Sequence, residues 1–288
     1  MLSHLAGILF DGVAYGALLF VISIGLAITL GLMNFINLAH GAFAMLGGYV
    51  AVMAMSRAGV PFLGALAIAF VAGGMAGVVL ERGLYRYVYD RSHLDQVLFT
   101  IGLTFMAIAT AAYAFGPGQQ PVHLPPYLTG QVNIGGVDVG VYRLFLIVVV
   151  AAITVALSWL VEHTRFGARV RAAVDNRVAA EGLGIDVTRV FSVTFALGSA
   201  LAALGGGMAI DVLGLDPTFP LKYMVYFLLV VAVGGGRTIK GPLIAALILG
   251  VFDVAGKYYV PEIGSFVIYA LMVAMLAIFP NGLFGRPR

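Results

Sequence analysis

Cysteine is absent from the 288 residues, tryptophan occurs once, and only 10% of the chain is charged. Without cysteine there can be neither a disulfide framework nor a thiolate metal site. With 61% hydrophobic residues and a mean hydropathy of +1.04, polar surface is too scarce to cover a water-soluble globule of this size. No long polar block separates the apolar runs between residues 5 and 285, so a single membrane domain over residues 1–288 is expected. The formal charge of +3 requires no nucleic-acid partner. The string GxxxxGK[ST] is missing, which excludes ATP hydrolysis at a P-loop of its own. HExxH is missing too, and five scattered histidines form no metal or catalytic cluster. No catalytic residue, metal ligand or resident cofactor is therefore expected. No Lys or Arg precedes Arg57 and the first apolar run outlasts a signal-peptide core, so a retained span is expected, not a cleaved leader.

What is present is helix-forming apolar sequence. A helix needs about 20 apolar residues to cross the hydrocarbon core. The 45 uncharged residues between Asp11 and Arg57 suit two crossings, broken between residues 31 and 40 where Asn34, Asn37 and His40 interrupt the run. Full spans are read at 60–80, 97–115, 144–161, 190–210 and 263–279, with short pieces at 223–236 and at 241–252 before Asp253. The fold class is all-α, a polytopic transmembrane bundle of about eight spans with broken or half-length helices. Placing residues 81–94 inside puts twelve of the sixteen Lys and Arg on the cytoplasmic side, leaving Arg57, Arg143, Lys222 and Lys257 outside. The N-terminus is then external, the C-terminus cytoplasmic, and the Pro- and Gly-rich segment 116–140 exterior. Gly73 with Gly77, and Ala196, Ala200, Ala203 and Gly207 along one face, read as close helix packing.

Three segments stand out. "GLMNFINLAHGAFAMLGGY" brings Asn34, Asn37 and His40, then Gly41, Gly47 and Gly48, to membrane depth. Non-helical backbone is tolerated there only beside protein or a water-filled cavity. Two readings stand, a broken helix lining the substrate pathway and an interfacial loop with ordinary capping polars. "VAVGGGRTIKGPLIAALILG" carries Gly234 and Gly235 between two short apolar pieces, and paired interrupted segments often flank a substrate path. The loop 162–189 is the longest charged stretch. Val170, Ala173, Val174 and Val178 recur at helical spacing, Arg177 and Glu181 form an i, i+4 pair, and Gly182 with Gly184 supplies a stop. One short amphipathic helix is expected, either lying on lipid or docking a soluble partner.

These segments, with "VRAAVDNRVAAEGLGIDVTRVFSVTFALGSALAALGGGM", "GGGRTIKGP" and the terminal "FPNGLFG", resemble the branched-chain amino acid ABC importer permeases of the LivH type over nearly the whole chain. The resemblance implies a coupling helix within residues 165–185, with Ala179, Ala180, Glu181 and Gly184 at its core and Arg171 and Arg177 beside them. It also implies a second, LivM-like permease, two cytosolic ABC ATPases that bind the ATP, and a periplasmic or extracellular solute-binding protein, all at the cell's inner (plasma) membrane. One departure is plain: where relatives commonly read G-G-x-G-[ST], Arg237 follows Gly234, Gly235 and Gly236.

The rival function is a self-powered secondary transporter or channel, which needs ionisable groups inside its spans. Asp11, Asp211 and Asp253 all read as lying near span ends. Asp11 is expected to act as an interfacial or capping carboxylate and Lys222 as a snorkelling cation. Trp159 and the tyrosines 85, 87, 258 and 259 are expected to anchor the chain at the membrane interfaces.

Overall fold

Where no water reaches the backbone, each N–H and C=O must be satisfied within its own segment, so charge-free runs become helices. The computed structural model describes residues 2–33, 35–122, 124–236, 238–279 and 282–283. Its apolar helices are α1 (Leu2–Met33), α2 (His40–Ala58), α3 (Phe62–Gly83), α4 (His93–Phe115), α5 (Val141–His163), α8 (Val187–Leu213), α9 (Phe219–Gly234), α10 (Lys240–Tyr259) and α11 (Gly264–Ile278). Two short polar helices, α6 (Arg165–Asp175) and α7 (Arg177–Gly182), lie between α5 and α8. Seven of the apolar helices are long enough to cross a bilayer, and α9 and α11 are shorter. The expected count of about eight falls between seven and the nine reached when both short helices are included.

The centre of the bundle is α1 and α8, each 78% buried across its span, against 17% for α4 and α5, which face outward. Lipid tails are as apolar as leucine, so helices adhere through close backbone approach, not through escape from water. The small residues sit at these seams. A methyl added to Gly77 would lie 2.7 Å from Ser199 Oγ, and one added to Gly73 would lie 2.8 Å from Ser199 O, on the seam joining α3 to α8. Gly206 rests on the Ala44 carbonyl, joining α8 to α2. Gly12 and Gly16 rest on α10 at Val251 and Ala246.

Segment 116–140 is largely irregular, with one feature the all-α reading passed over. β1 (Gln131–Ile134) and β2 (Val137–Gly140) pair antiparallel, Ile134 opposite Val137, around Gly135 and Gly136 at φ of 60° and 84°. Two consecutive positive φ values suit a two-residue hairpin turn, which favours glycine at both positions.

Three expectations need correction. The piece at 241–252 is not half-length, because α10 runs on for 20 residues through Asp253. The carboxylate does not end the helix because Lys257 lies one turn further on and binds it. The single amphipathic helix is two, broken at Asn176 (φ −157°, ψ 102°), whose side chain caps the second by accepting from Ala179 N at 3.0 Å. Tyr85 is wholly buried and is no interface anchor, whereas Tyr87, Tyr258, Tyr259 and Trp159 are more than half exposed.

Candidate substrate pathway and coupling surface

The chain leaves the helix after Met33 and re-enters it at His40. Residues 35–39 run beside α4, whose inward face is polar. Gln96 Oε1 accepts from Ile36 N at 3.4 Å, and Thr104 Oγ1 donates to Leu38 O at 3.4 Å. Gln96 and Thr104 are eight residues apart, roughly 12 Å of helix rise, so the segment climbs about a third of the 23-residue α4 before α2 begins. Asn37 accepts from Ala39 N at 3.1 Å and from the Tyr85 hydroxyl at 3.2 Å. His40 Nε2 lies 2.7 Å from the Ile22 carbonyl, which can only accept, so the ring carries its proton there. Asn37 and His40 are both buried. The start of α2 also meets the start of α9, where a methyl on Gly41 would come 3.0 Å from Pro220 Cα. At the C-terminal end of α1, Gly31 rests on the carbonyl of Gly236 just beyond α9, so the two interrupted segments touch, backbone on backbone.

On the opposite side of the bundle, where Arg57, Arg143, Lys222 and Lys257 lie, a cavity of ≈550 Å³ opens between α1, α5, α8, α9, α10 and α11. Its wall includes Asp11, Tyr15, Arg143, Lys222, Tyr223, Tyr226, Asp253, Lys257 and Tyr269, with Ala14, Leu146, Val212, Leu213 and Val254 as apolar lining. Each cation has a carboxylate: Arg143 pairs with Asp11, Lys222 with Asp216, and Lys257 with Asp253 at 2.5 Å. At the rim, burial alone would raise the Asp216 carboxyl. Hydrogen bonds from Lys222 and Thr218 together outweigh burial and hold it below the ordinary carboxylate range. Asp253 differs from the others, being fully buried with Oδ1 lacking any hydrogen-bond partner.

A second carboxylate lies inside the bundle at its basic end. Glu81, 1% exposed, accepts from Ser192 Oγ at 2.6 Å and from the Tyr89 hydroxyl at 3.0 Å, tying α3 to α8. Burial, then the Glu81 charge, pushes the Tyr89 phenol well above its usual value.

On the same basic side, α6 and α7 fold back on α5 and α8. Val170, Ala173 and Ala180 bury against Val187, Val190 and Phe191, and Arg171 donates to the Val161 carbonyl. Helix α7 closes with Gly184 at φ 79°, Gly184 N bonding Glu181 O at 3.0 Å and Ile185 N bonding Ala180 O at 3.0 Å. This pair of bonds and the left-handed glycine form a Schellman stop. Arg177 pairs with Glu181 at 3.0 Å and lies over the Phe191 ring at 5.6 Å. Val178 and Leu183 are left 79% and 81% exposed, apolar side chains standing out from a basic surface.

Residues 8–276 match the family described as branched-chain amino acid transport system, permease component. The chain belongs to that permease family. It is 29% identical to the high-affinity branched-chain amino acid transport system permease protein LivH of Escherichia coli K12, over 97% of this chain and 95% of the relative. It is 26% identical to the permease protein BraD of Pseudomonas aeruginosa over 97% and 95% of the two chains. It is 27% identical to the probable permease LivH of Methanocaldococcus jannaschii over 96% and 92%. No solved structure matches the chain.

In this permease the predicted pathway residues do not line the cavity. Asn37, His40 and Gly41 are sealed at the break, and Gly47 and Gly48 are packed on α8 and Leu215. Gly234 is buried against Pro242, with Gly235 at φ 77° just beyond α9. Asn34 and Arg237 lie outside the described residues. The predicted coupling residues do come together, in α6, α7 and their stop. Sequence reasoning missed Glu81, hidden by its neighbour Arg82, and placed Asp253 at a span end. It also left Tyr223, Tyr226 and Tyr269 unremarked. Tyr223 and Tyr226 share a face of α9 at i, i+3 spacing, but Tyr269 joins them from α11, which no short-range pattern marks.

Proposed function

We propose that this chain is the membrane permease subunit of an ATP-driven importer of branched-chain or related amino acids, a single membrane domain that moves its solute by alternating access. The N-terminus is external and the C-terminus cytoplasmic. With all nine described apolar helices taken as crossings, the two short ones included, their odd number would leave the ends on opposite sides, and the positive-inside bias gives the direction. The cavity beside Arg143 and Lys222 is then an outward vestibule beneath a docked solute-binding protein, and the α6–α7 hairpin faces the cytosol. ATP binds on two partner ATPases, and a second, LivM-like permease completes the membrane portion. This chain carries no cofactor.

The observation that carries this reading is the exposure of Val178 and Leu183 on a helix otherwise anchored to the bundle. Apolar side chains held out on a rigid, basic, cytosolic knob suit a cleft in a soluble partner. Closure of the ATPases would push this knob, and the α6–α8 cluster would pass the displacement to α8 at the bundle centre. Altering Glu181 is expected to abolish ATP-driven uptake while leaving the assembled bundle intact, and shortening residues 172–180, which also removes the buried Ala173 and Ala180, is expected to abolish it too. Unchanged coupling would remove this hairpin from the mechanism. The self-powered alternative draws on Glu81 and Asp253, ionisable groups buried inside the bundle. Uptake by the isolated chain in liposomes without ATP would favour it.

A further inference from the structure

The cavity wall contains a buried carboxylate with half of its accepting capacity unused. A carboxylate has about four lone-pair sites, and stranding them away from water is costly unless something occupies them. Asp253 Oδ2 is taken by Lys257, whereas Oδ1 has no partner, and the residue is fully buried while lining the cavity. Around it stand aromatic rings. Tyr226 lies 6.2 Å from both Tyr223 and Tyr269, centroid to centroid, and Tyr15 stands beside the carboxylate's own cation. Carboxylate plus ring faces is the chemistry that holds an ammonium ion. The cavity already displays the mode with its own side chain, because Lys257 Nζ is at once 2.5 Å from Asp253 and 5.6 Å above the Tyr15 ring.

We propose that this cavity is a primary-ammonium site, with the free Oδ1 of Asp253 as its anchor and the rings of Tyr226 and Tyr269 as its walls. The site deepens the permease reading and rests on it: the importer would then check the ammonium group of its solute a second time, inside the membrane portion. Val254, Leu213 and Leu146 supply an apolar side for an aliphatic chain. Arg143 and Lys222, each about half exposed and already paired with Asp11 and Asp216, stand at the rim.

The test uses the permease assembled with its membrane and ATPase partners in nanodiscs, without the solute-binding protein and without ATP. Calorimetric titration compares three probes that share the isobutyl chain: leucine, its decarboxylated amine 3-methylbutylamine and the keto acid 4-methyl-2-oxopentanoate. Leucine and the amine are expected to bind at least about tenfold more tightly than the keto acid. Asp253→Asn is expected to erase that preference, and Asp253→Glu to restore part of it. Equal binding of the keto acid, binding of none of the probes, or an unaltered preference in Asp253→Asn would overturn the site. Should Asp253→Asn fail to assemble, the ranking of the three probes on the native complex decides alone. ATP-driven uptake by the native complex tests the permease reading separately. Its absence beside an intact amine preference would sink that reading and leave the site standing.

Discussion

Gly16 offers a direct measure of how closely the bundle depends on backbone contact. It lies on α1 where that helix crosses α10, and a methyl group added there would sit 2.5 Å from the Ala246 carbonyl oxygen and 2.8 Å from Leu247 Cα. Both neighbours are main chain, so no rotamer change relieves the overlap. Restoring an ordinary separation of 3.4 Å means opening the seam by roughly 0.9 Å, along which Gly12 and Gly250 are packed just as tightly. Forced overpacking of this kind costs about 1–3 kcal/mol, which on the scale of domains near this size lowers the melting temperature by about 2 to 12 °C. Gly102→Ala on α4, where a methyl meets nothing within 4 Å, is the matched control and gains helix propensity. Both variants are melted in the same detergent and followed by size-exclusion elution after heating. If Gly16→Ala melts with Gly102→Ala, close backbone approach is not what holds α1 to α10. The same seam aligns Tyr15 with Lys257, so Gly16→Ala is also expected to weaken amine binding.

Glu81→Ala strands the hydroxyls of Ser192 and Tyr89 and is expected to destabilise the bundle by about 2–4 kcal/mol, whereas Glu81→Gln retains hydrogen bonding and costs less; thermal melts of the two variants check the order. Val178→Asp with Leu183→Asp is expected to abolish ATP-driven uptake and leave the melting temperature unchanged, while Val170→Asp, at a buried position, lowers it. Equal melting of the double variant and Val170→Asp would show that α6 is not anchored as described. Because the Asp216 carboxyl is held below its unfolded value, the stability it lends to the turn before α9 is complete above the ordinary carboxylate range and is lost as pH falls through the depressed folded value. Hydrogen exchange at Thr218 N is expected to quicken only in that acid range, and the acid dependence vanishes in Asp216→Asn.

Most of the bundle could be read from charge-free lengths, because in lipid a helix is the only satisfied state available to a lone apolar segment. The break at 31–40 was equally legible, since two amides and an imidazole have few reasons to share an apolar run. What the pattern misjudged were the places where polar atoms are neutralised by partners distant in sequence or one turn away. Asp253 looked like a helix end because its ion pair with Lys257 spans four residues and cannot be inferred from charge alone. Glu81 looked like loop because Ser192, its partner, lies 111 residues away. The Val170 to Val178 stripe read as continuous because its spacing survives Asn176, whose extended backbone turns Val178 out of the core. The cavity was the least legible feature, drawn from six helices with no two of its tyrosines adjacent in sequence.

Gln96 serves two masters. Its oxygen holds the main chain at Ile36, while its amide nitrogen holds the carbonyls of Tyr89 and Arg91, at 3.1 and 3.3 Å. A single side chain therefore splices two strands of unwound backbone that share no direct hydrogen bond with each other among the described residues. Leucine in its place would untie both at once, so one of the two least enclosed spans carries a knot on which the interior depends.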